Sequence, residues 1–299
     1  MQIRQLQHFI AIIEHGSMHA ASRAFGLSQP ALTRSIQKLE TSINVTLLTR
    51  KGRRVVPTPA GQVFFQRAKL ILNECQTASS EAALLQSGQI GEVHIGIGTM
   101  FANFVVDAAI AELAKNFPDL RIKVTEGFYE DLIEKLQSGS LDLVFLNFTP
   151  SRFRSDLKFE PLIRLSGAAF VRPEHKLARK RVLTPKDASD AYWVVIDWPH
   201  ARAHFSRIYE EAGLPIPEHV VATNSLNLIR SLILSGDFIA CVPHEMVADE
   251  VANGRLKRLN FPAFTYDRAA GLIHRAEQFR TPAMGHLTEA IRQAAARLR

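Results

Sequence analysis

The chain has 299 residues, with 36 Lys and Arg against 29 Asp and Glu for a formal charge of +7, and 46% of its residues are apolar. That is enough for two folded units with ordinary cores, and it excludes a disordered, collagen-like or purely coiled-coil protein. No apolar run reaches the roughly 18 residues of a membrane span, the start MQIRQLQHFIAIIEHG has no signal-peptide pattern, and Cys75 and Cys241 are too few for a disulfide framework, so a cytoplasmic protein with no membrane partner is expected.

The charge is unevenly placed. Residues 1–88 hold ten Lys and Arg and four acids, whereas the other 211 residues hold 26 bases and 25 acids. Such asymmetry points the first third at an anionic partner, nucleic acid or membrane surface.

Leu6, Phe9, Ile10 and Ile13 form one apolar stripe of a helix that ends at His15-Gly16. Ser17 then caps a short second helix with Met18, Ala21, Ala24 and Phe25 inward, and Gly26 breaks it. Ser28 caps a third helix, with Pro30 in its first turn and Leu32, Ile36 and Leu39 inward. Two short helices joined by a glycine turn are a helix-turn-helix pattern. On the outer face of the third helix stand Thr33, Arg34, Gln37 and Lys38, with Ser28 and Gln29 at its amino end. These types hydrogen-bond base edges and phosphates in a major groove, although a solvated polar face would account for any one of them.

The next segment favours the groove. In Leu47-Leu48-Thr49-Arg50-Lys51-Gly52-Arg53-Arg54-Val55-Val56, two apolar runs flank a turn crowded with cations, a hairpin wing. Mutual repulsion on such a tip is relieved by a polyanion, and phosphate contacts from Arg50, Arg53 and Arg54 would position the third helix. Thr58-Pro59 opens a long helix in which Phe64, Ala68, Ile71, Cys75, Ala78, Ala82 and Leu85 make a heptad seam. The seam is expected to pair two protomers, with packing on the chain's own domains as the alternative.

These ninety residues resemble the amino-terminal region of LysR-type transcriptional regulators. The resemblance rests on Leu6-Gln7-His8-Phe9, Ser17-Met18-His19-Ala20-Ala21, the run Leu27 to Ile36, Leu39-Glu40, Leu47-Leu48-Thr49-Arg50 and Thr58-Pro59-Ala60-Gly61. Asn44 stands where that family usually has glycine, and Leu48-Thr49 replaces its common Phe-Glu.

Past Gly88 and Gly91 strands and helices alternate: a strand at 93–98, a helix from about Phe101 to Phe117, a strand at 121–124, a helix at 132–136 and a strand at 141–146. A second set follows Arg164, with strands at 193–196, 220–222 and 238–242 and helices at 204–212 and 226–235. The chain is then expected to return through a strand at 269–273 to a final helix at 283–298. This order argues a parallel sheet covered by helices. It resembles the two-lobed, periplasmic-binding-protein-like effector domain of the same family. The expected fold is therefore α/β with an N-terminal winged helix-turn-helix (1–58), a linker helix (59–88) and an effector domain (91–299). Lobe I would take about 91–163 and 267–299, and lobe II about 164–266.

Small molecules bind outside the carboxyl ends of strands in such lobes, where helix amino termini present free N–H groups. That selects Thr99, Met100 and Phe101; Gly127 and Phe128; Asn147 and Phe148; Asp197 through Arg202, with Trp198 and His200 among them; Thr223, Asn224 and Ser225; and Val242-Pro243. Thr99, Asn147, Asn224 and Ser225 suit a carboxylate or carbonyl, Phe128 and Trp198 an aromatic body, and His200 and Arg202 an anion. Phe128 or Trp198 could equally be core, and Thr223 or Ser225 a cap.

Catalytic motifs fail at named positions. Gly96-Ile97-Gly98 lacks its third glycine because residue 101 is Phe101, and His244-Glu245 lacks a second metal ligand because residue 248 is Ala248. No catalytic residue, metal or cofactor is expected. The resemblance implies a regulator bound to double-stranded promoter DNA as a homodimer or homotetramer, acting with RNA polymerase. Its effector would be an organic acid or aromatic metabolite. A thiol-redox-responsive regulator, or a solute-binding or catalytic protein with a basic head, are the alternatives.

Overall fold

The computed structural model describes residues 1–52, 54–86, 91–101, 105–147, 155–278 and 280–298. Arg53, Gly88, Phe148 and the side chain of Leu85, all named above, lie outside the described residues. The chain forms two compact units: Met1–Gly96, Leu113–Val144 and His274–His286 make the first, and Ile97–Glu112, Phe145–Ile273 and Leu287–Arg299 the second.

The first unit begins with α1 (Ile3–His15), which buries Leu6, Phe9, Ile10 and Ile12 and stops at Gly16 in the left-handed region, φ +64°. In α2 (Met18–Ala24) the Ser17 hydroxyl accepts the Ala20 N–H at 3.4 Å. The inward set of α2 is smaller than expected: Ala21 is buried, but Ala24 and Phe25 are exposed. The helix ends after two turns, and the turn that follows leaves the Phe25 ring edge-on to His8 at 5.0 Å. In α3 (Gln29–Ile43) Leu32, Ile36 and Leu39 are buried. The helix closes on Asn44 at φ +53°, a left-handed position that only glycine and, less easily, asparagine adopt routinely. That geometry accounts for the exchange at residue 44.

A hairpin follows, β1 (Leu48–Lys51) and β2 (Arg54–Pro57), antiparallel in the register Leu48↔Pro57 to Lys51↔Arg54. The Thr58 hydroxyl then accepts the Gly61 N–H at 3.0 Å and donates to Thr46 O at 2.8 Å, capping α4 (Pro59–Gln86). A Cβ on Gly61 would lie 2.0 Å from Leu47 O, so the helix start is pressed onto the wing. The heptad stripe of α4 is divided. Ala68 is buried and Phe64 half-buried against α1, whereas Ile71, Cys75, Ala78 and Ala82 are exposed.

Three strands continue the chain, β3 (Gly91–Gly98), β4 (Leu120–Gly127) and β5 (Leu143–Asn147), in the order β4-β3-β5. β3 and β5 run by their last residues into the second unit. Two helices belong to this stretch, α5 (Val106–Asn116) and α6 (Tyr129–Gln137). α5 begins at Val106 rather than near Phe101, because Phe101 is drawn into the core in a bend, edge-on to Phe145 at 5.2 Å.

The second unit continues with β6 (Leu157–Val171), β7 (Tyr192–Ile196), α7 (Pro199–Glu211), β8 (Val220–Thr223), α8 (Leu226–Ser235) and β9 (Phe238–Pro243). The chain ends with α9 (Ala248–Ala252), β10 (Lys257–Arg258), β11 (Tyr266–Arg275) and α10 (Pro282–Ala296). The strand order here is β11-β6-β9-β7-β8, with β10 on β6. The expected parallel sheet is in fact mixed: β7 is parallel to β8 and β9, but β6 is antiparallel to β9. β6 was hidden in the sequence because Glu160-Pro161 and Ser166-Gly167 interrupt its apolar run with breaker residues. One core holds Trp193, Phe205, Tyr209 and Phe264 with α7, and another holds Val194, Ile229, Ile233 and Val242 with α8. Helices therefore cover this sheet on both faces.

Candidate nucleic-acid interface and ligand site

The sequence places polar residues on α3, and the cap decides how they are presented. Ser28 Oγ accepts the Ala31 N–H at 3.3 Å, which uses one of its lone pairs and leaves its own hydrogen to donate. Thr33 donates to Gln29 O at 2.9 Å and is half-buried, so its hydroxyl is partly committed to the helix. Gln29, Pro30, Arg34, Gln37 and Lys38 are exposed. Among the described residues, Arg34 and Lys38 enter no ion pair.

The wing is held to this helix by a group not singled out from sequence. Glu40 Oε1 on α3 accepts the backbone N–H of Leu47 at 2.7 Å and of Leu48 at 3.1 Å. Both bonds are charge-assisted and fix the first strand against α3. At the tip, Lys51 sits directly opposite Arg54, and Arg50 opposite Val55. Like charges facing across a hairpin destabilise it, and Arg50, Lys51 and Arg54 are all exposed with no acid paired to them among the described residues. A polyanion such as a row of phosphates would supply the missing counter-charge.

His8 lies between α1 and α3, its Nδ1 at 2.8 Å from Ser35 Oγ and its buried Nε2 without a partner among the described residues. Burial, with Arg4 adding, holds its pKa below the usual 6.5, so the ring stays neutral between α1 and α3.

In the second unit the register Ile196↔Thr223 sets the carboxyl ends of β7 and β8 side by side. Trp198 caps α7 there, half-buried, with the His200 ring at 5.1 Å; Arg202 is exposed and 3.4 Å from Asp197. Thr223 Oγ1 accepts the Ser225 N–H at 3.1 Å, Ser225 Oγ accepts the Leu228 N–H at 3.2 Å to cap α8, and Asn224 is exposed. The structure thus brings these six together and gives the two hydroxyls capping work. Two helix amino termini at one edge favour a negative group.

Thr99 and Met100 form a half-exposed turn after β3, and Asn147 ends β5. A Cβ on Gly98 would lie 2.6 Å from Leu146, so these strand ends are also neighbours. Phe101 is fully buried and packs the core behind the turn rather than facing solvent. Phe128, in the first unit, is the half-buried cap of α6.

Sequence reasoning missed Tyr266 and Arg268 at the start of β11. The Tyr266 ring lies across Gly167, where a Cβ would come within 2.0 Å, and the Arg268 guanidinium sits 4.8 Å over that ring. Their alternation just ahead of the expected 269–273 strand was the available signal. Burial first, with Cys241 and Glu245 adding, raises the Tyr266 pKa above the ordinary phenol range, so it stays protonated. Cys241 donates to Phe264 O at 3.2 Å, and burial pushes its thiol up to about 12. Cys75 is exposed. Among the described residues no group of His, Cys, Asp and Glu could hold a metal, and no helix is long and apolar enough to cross a membrane.

Residues 3–62 match the family profile described as bacterial regulatory helix-turn-helix protein, lysR family, and residues 86–296 match that described as LysR substrate binding domain. The HTH-type transcriptional regulator GalR of Pseudomonas putida is 31% identical over 296 residues, covering 98% of this chain and 74% of that protein. The SDS degradation transcriptional activation protein of a Pseudomonas species is 30% identical, covering 94% of this chain and 92% of its own. Among solved structures, full-length LysG of Corynebacterium glutamicum with bound effector Arg superposes with a TM-score of 0.70 at 18% identity, covering 99% of each chain.

Proposed function

The chain belongs to the LysR family of bacterial transcriptional regulators, and from that premise we propose how its residues divide the work. The exposed face of α3 (Gln29, Pro30, Arg34, Gln37 and Lys38, with Ser28 and Thr33 at its margin) reads base edges in the major groove. Arg50, Arg53 and Arg54 of the wing hold flanking phosphates. The observation that carries this reading is the unpaired Lys51↔Arg54 cross-strand couple, held to the recognition helix through Glu40. The exposed part of the α4 seam, from Ile71 to Ala82, pairs two protomers, and pairs of dimers bridge a promoter beside RNA polymerase.

The second half of the chain, on this proposal, binds a small organic effector and has no catalytic role. Thr99, Met100, Asn147, Trp198, His200, Arg202, Thr223, Asn224 and Ser225 serve it, with Phe101 supporting Met100 from below. Phe128, in the first unit, is assigned to the effector by its place after β4 alone. The regions 1–58, 59–88 and 91–299 serve as head, linker and sensor in the cytoplasm, where the chromosome lies. A thiol switch is the weaker reading, because Cys241 is half-buried, hydrogen-bonded and held protonated.

The test is DNA binding by the full-length protein. Fluorescence anisotropy on duplexes from upstream of its own gene should show a specific site bound at least about a thousandfold more tightly than random duplex. Failure to bind either duplex at low ionic strength would falsify the assignment of the head.

A further inference from the structure

Glu245 is half-buried just past the end of β9, and its Oε2 is buried without a hydrogen-bond partner among the described residues. Burying a carboxylate oxygen unpaired is costly, so such a group persists where something else uses it. Its surroundings give it a location. Gly167 is in register with Pro243, and the Tyr266 ring lies across Gly167, so Tyr266 stands at the carboxyl end of β9. β9 is parallel to β7, which puts that end at the edge of the sheet where Trp198 and Thr223 lie.

Arg268 follows two residues on, on the same face of β11, with its guanidinium over the Tyr266 ring. The ring occupies one face of the guanidinium and leaves its N–H edges to donate. Among the described residues Arg268 has no carboxylate partner. Arg268 therefore lies over the half-buried Tyr266 ring at the end of β9 that Glu245 follows, and among the described residues no ion pair joins the acid to the base. Had they paired, the couple would be structural; unpaired, each asks for a partner of opposite character.

Building on the effector reading above, we infer that the ligand is a small carboxylic acid that also carries a hydroxyl or amino donor, Arg268 taking the carboxylate and Glu245 the donor. An acid without a donor leaves Glu245 stranded in an occupied site. A cation without a carboxylate leaves Arg268 unanswered. Tyr266, whose ring lies in the space that Gly167 leaves open, stands beside Arg268 to orient the ligand. The amino ends of α7 and α8 add positive potential at the rim, which draws the anion in.

Isothermal titration of the full-length protein with matched acids tests this: benzoate against 4-hydroxybenzoate, and hexanoate against 6-hydroxyhexanoate, 6-aminohexanoate and gluconate. The expected result is that at least one donor-bearing acid binds about tenfold or more tightly than its plain partner. Glu245→Met should reduce that acid to the affinity of the plain one, and Arg268→Gln should lose both. Arg268→Lys, which keeps the charge, should retain part of the binding and shows that position 268 can be changed without unfolding. Equal binding of plain and hydroxylated acids overturns the inference, as does undiminished binding by Arg268→Gln. If no acid binds but a thermal-shift screen finds a neutral or cationic ligand, the effector reading stands and this inference falls. If nothing raises the melting temperature, both fall.

Discussion

Arg275 at the end of β11 donates to Glu74 Oε1 of α4 at 3.0 Å, while its other amino nitrogen donates to the backbone oxygens of Leu136 at 2.7 Å and Leu141 at 3.1 Å. Beside it, Asn73 Nδ2 donates to Ser138 O at 2.6 Å. The long helix is thereby tied, within the first unit, to the turn between α6 and β5. Arg275 is buried and Glu74 exposed, so the two halves of the pair differ in weight. Arg275→Met should lower the unfolding free energy in urea by about 2–4 kcal/mol, because two buried carbonyls lose their donor. Glu74→Gln should cost less than about 1 kcal/mol. Equal losses from the two variants would mean that the carbonyl bonds carry no special share.

The Lys51↔Arg54 couple predicts a salt effect. Replacing both by Ala should weaken specific and random duplex alike and lower the slope of log affinity on log salt by about 0.9 for each phosphate no longer neutralised. A slope equal to that of the unaltered protein would remove the wing from the phosphate backbone.

Arg34 is exposed in the middle of the α3 face. Arg34→Ala should instead reduce discrimination between operator and random duplex, by about 1–3 kcal/mol for a bidentate base contact. Parallel losses on the two duplexes would make it another phosphate ligand.

Ala78 is exposed on the outer half of α4. A carboxylate there is harmless on a solvated helix but buried and unpaired in a helix pair. Ala78→Glu should shift sedimentation toward monomer while leaving the far-ultraviolet spectrum unchanged. An unaltered sedimentation coefficient would place the seam elsewhere.

His8 supplies a pH dependence. Its folded pKa lies below the usual 6.5, chiefly through burial, so on acidification the unfolded chain takes the proton first. The protein should therefore lose stability as pH falls through 6.5 toward the lowered folded value, with no such loss at higher pH. His8→Gln should flatten the dependence of melting temperature on pH between about 7 and 5. Some slope will remain, because burial also lowers His175 and His204. A slope equal to that of the parent would show that His8 stays solvated.

The head was the most legible part of the chain. Its helices are short, capped by Ser17, Ser28 and Thr58, and closed by Gly16 and Asn44, all local signals that act within a few residues. Departures there fell at edges, as with Ala24 and Phe25, where a helix end turned residues outward. The sensor half was less legible. β6 is long and interrupted by Pro161 and Gly167, and its partner β9 lies some seventy residues on, so no local pattern announces the antiparallel pairing.

Order along the chain was enough to determine most of the elements, their succession and the basic character of the first third, because helix periodicity, caps and charge are properties of neighbouring residues. Which distant groups meet one another was decided only by folding. Glu40 bracing the wing, Glu74 on Arg275, and the Tyr266 ring across Gly167 each depend on contacts that no single helix or strand contains. Such meetings follow from strand register and from where a glycine lets one side chain lie across another, and neither is written in any short stretch of the chain.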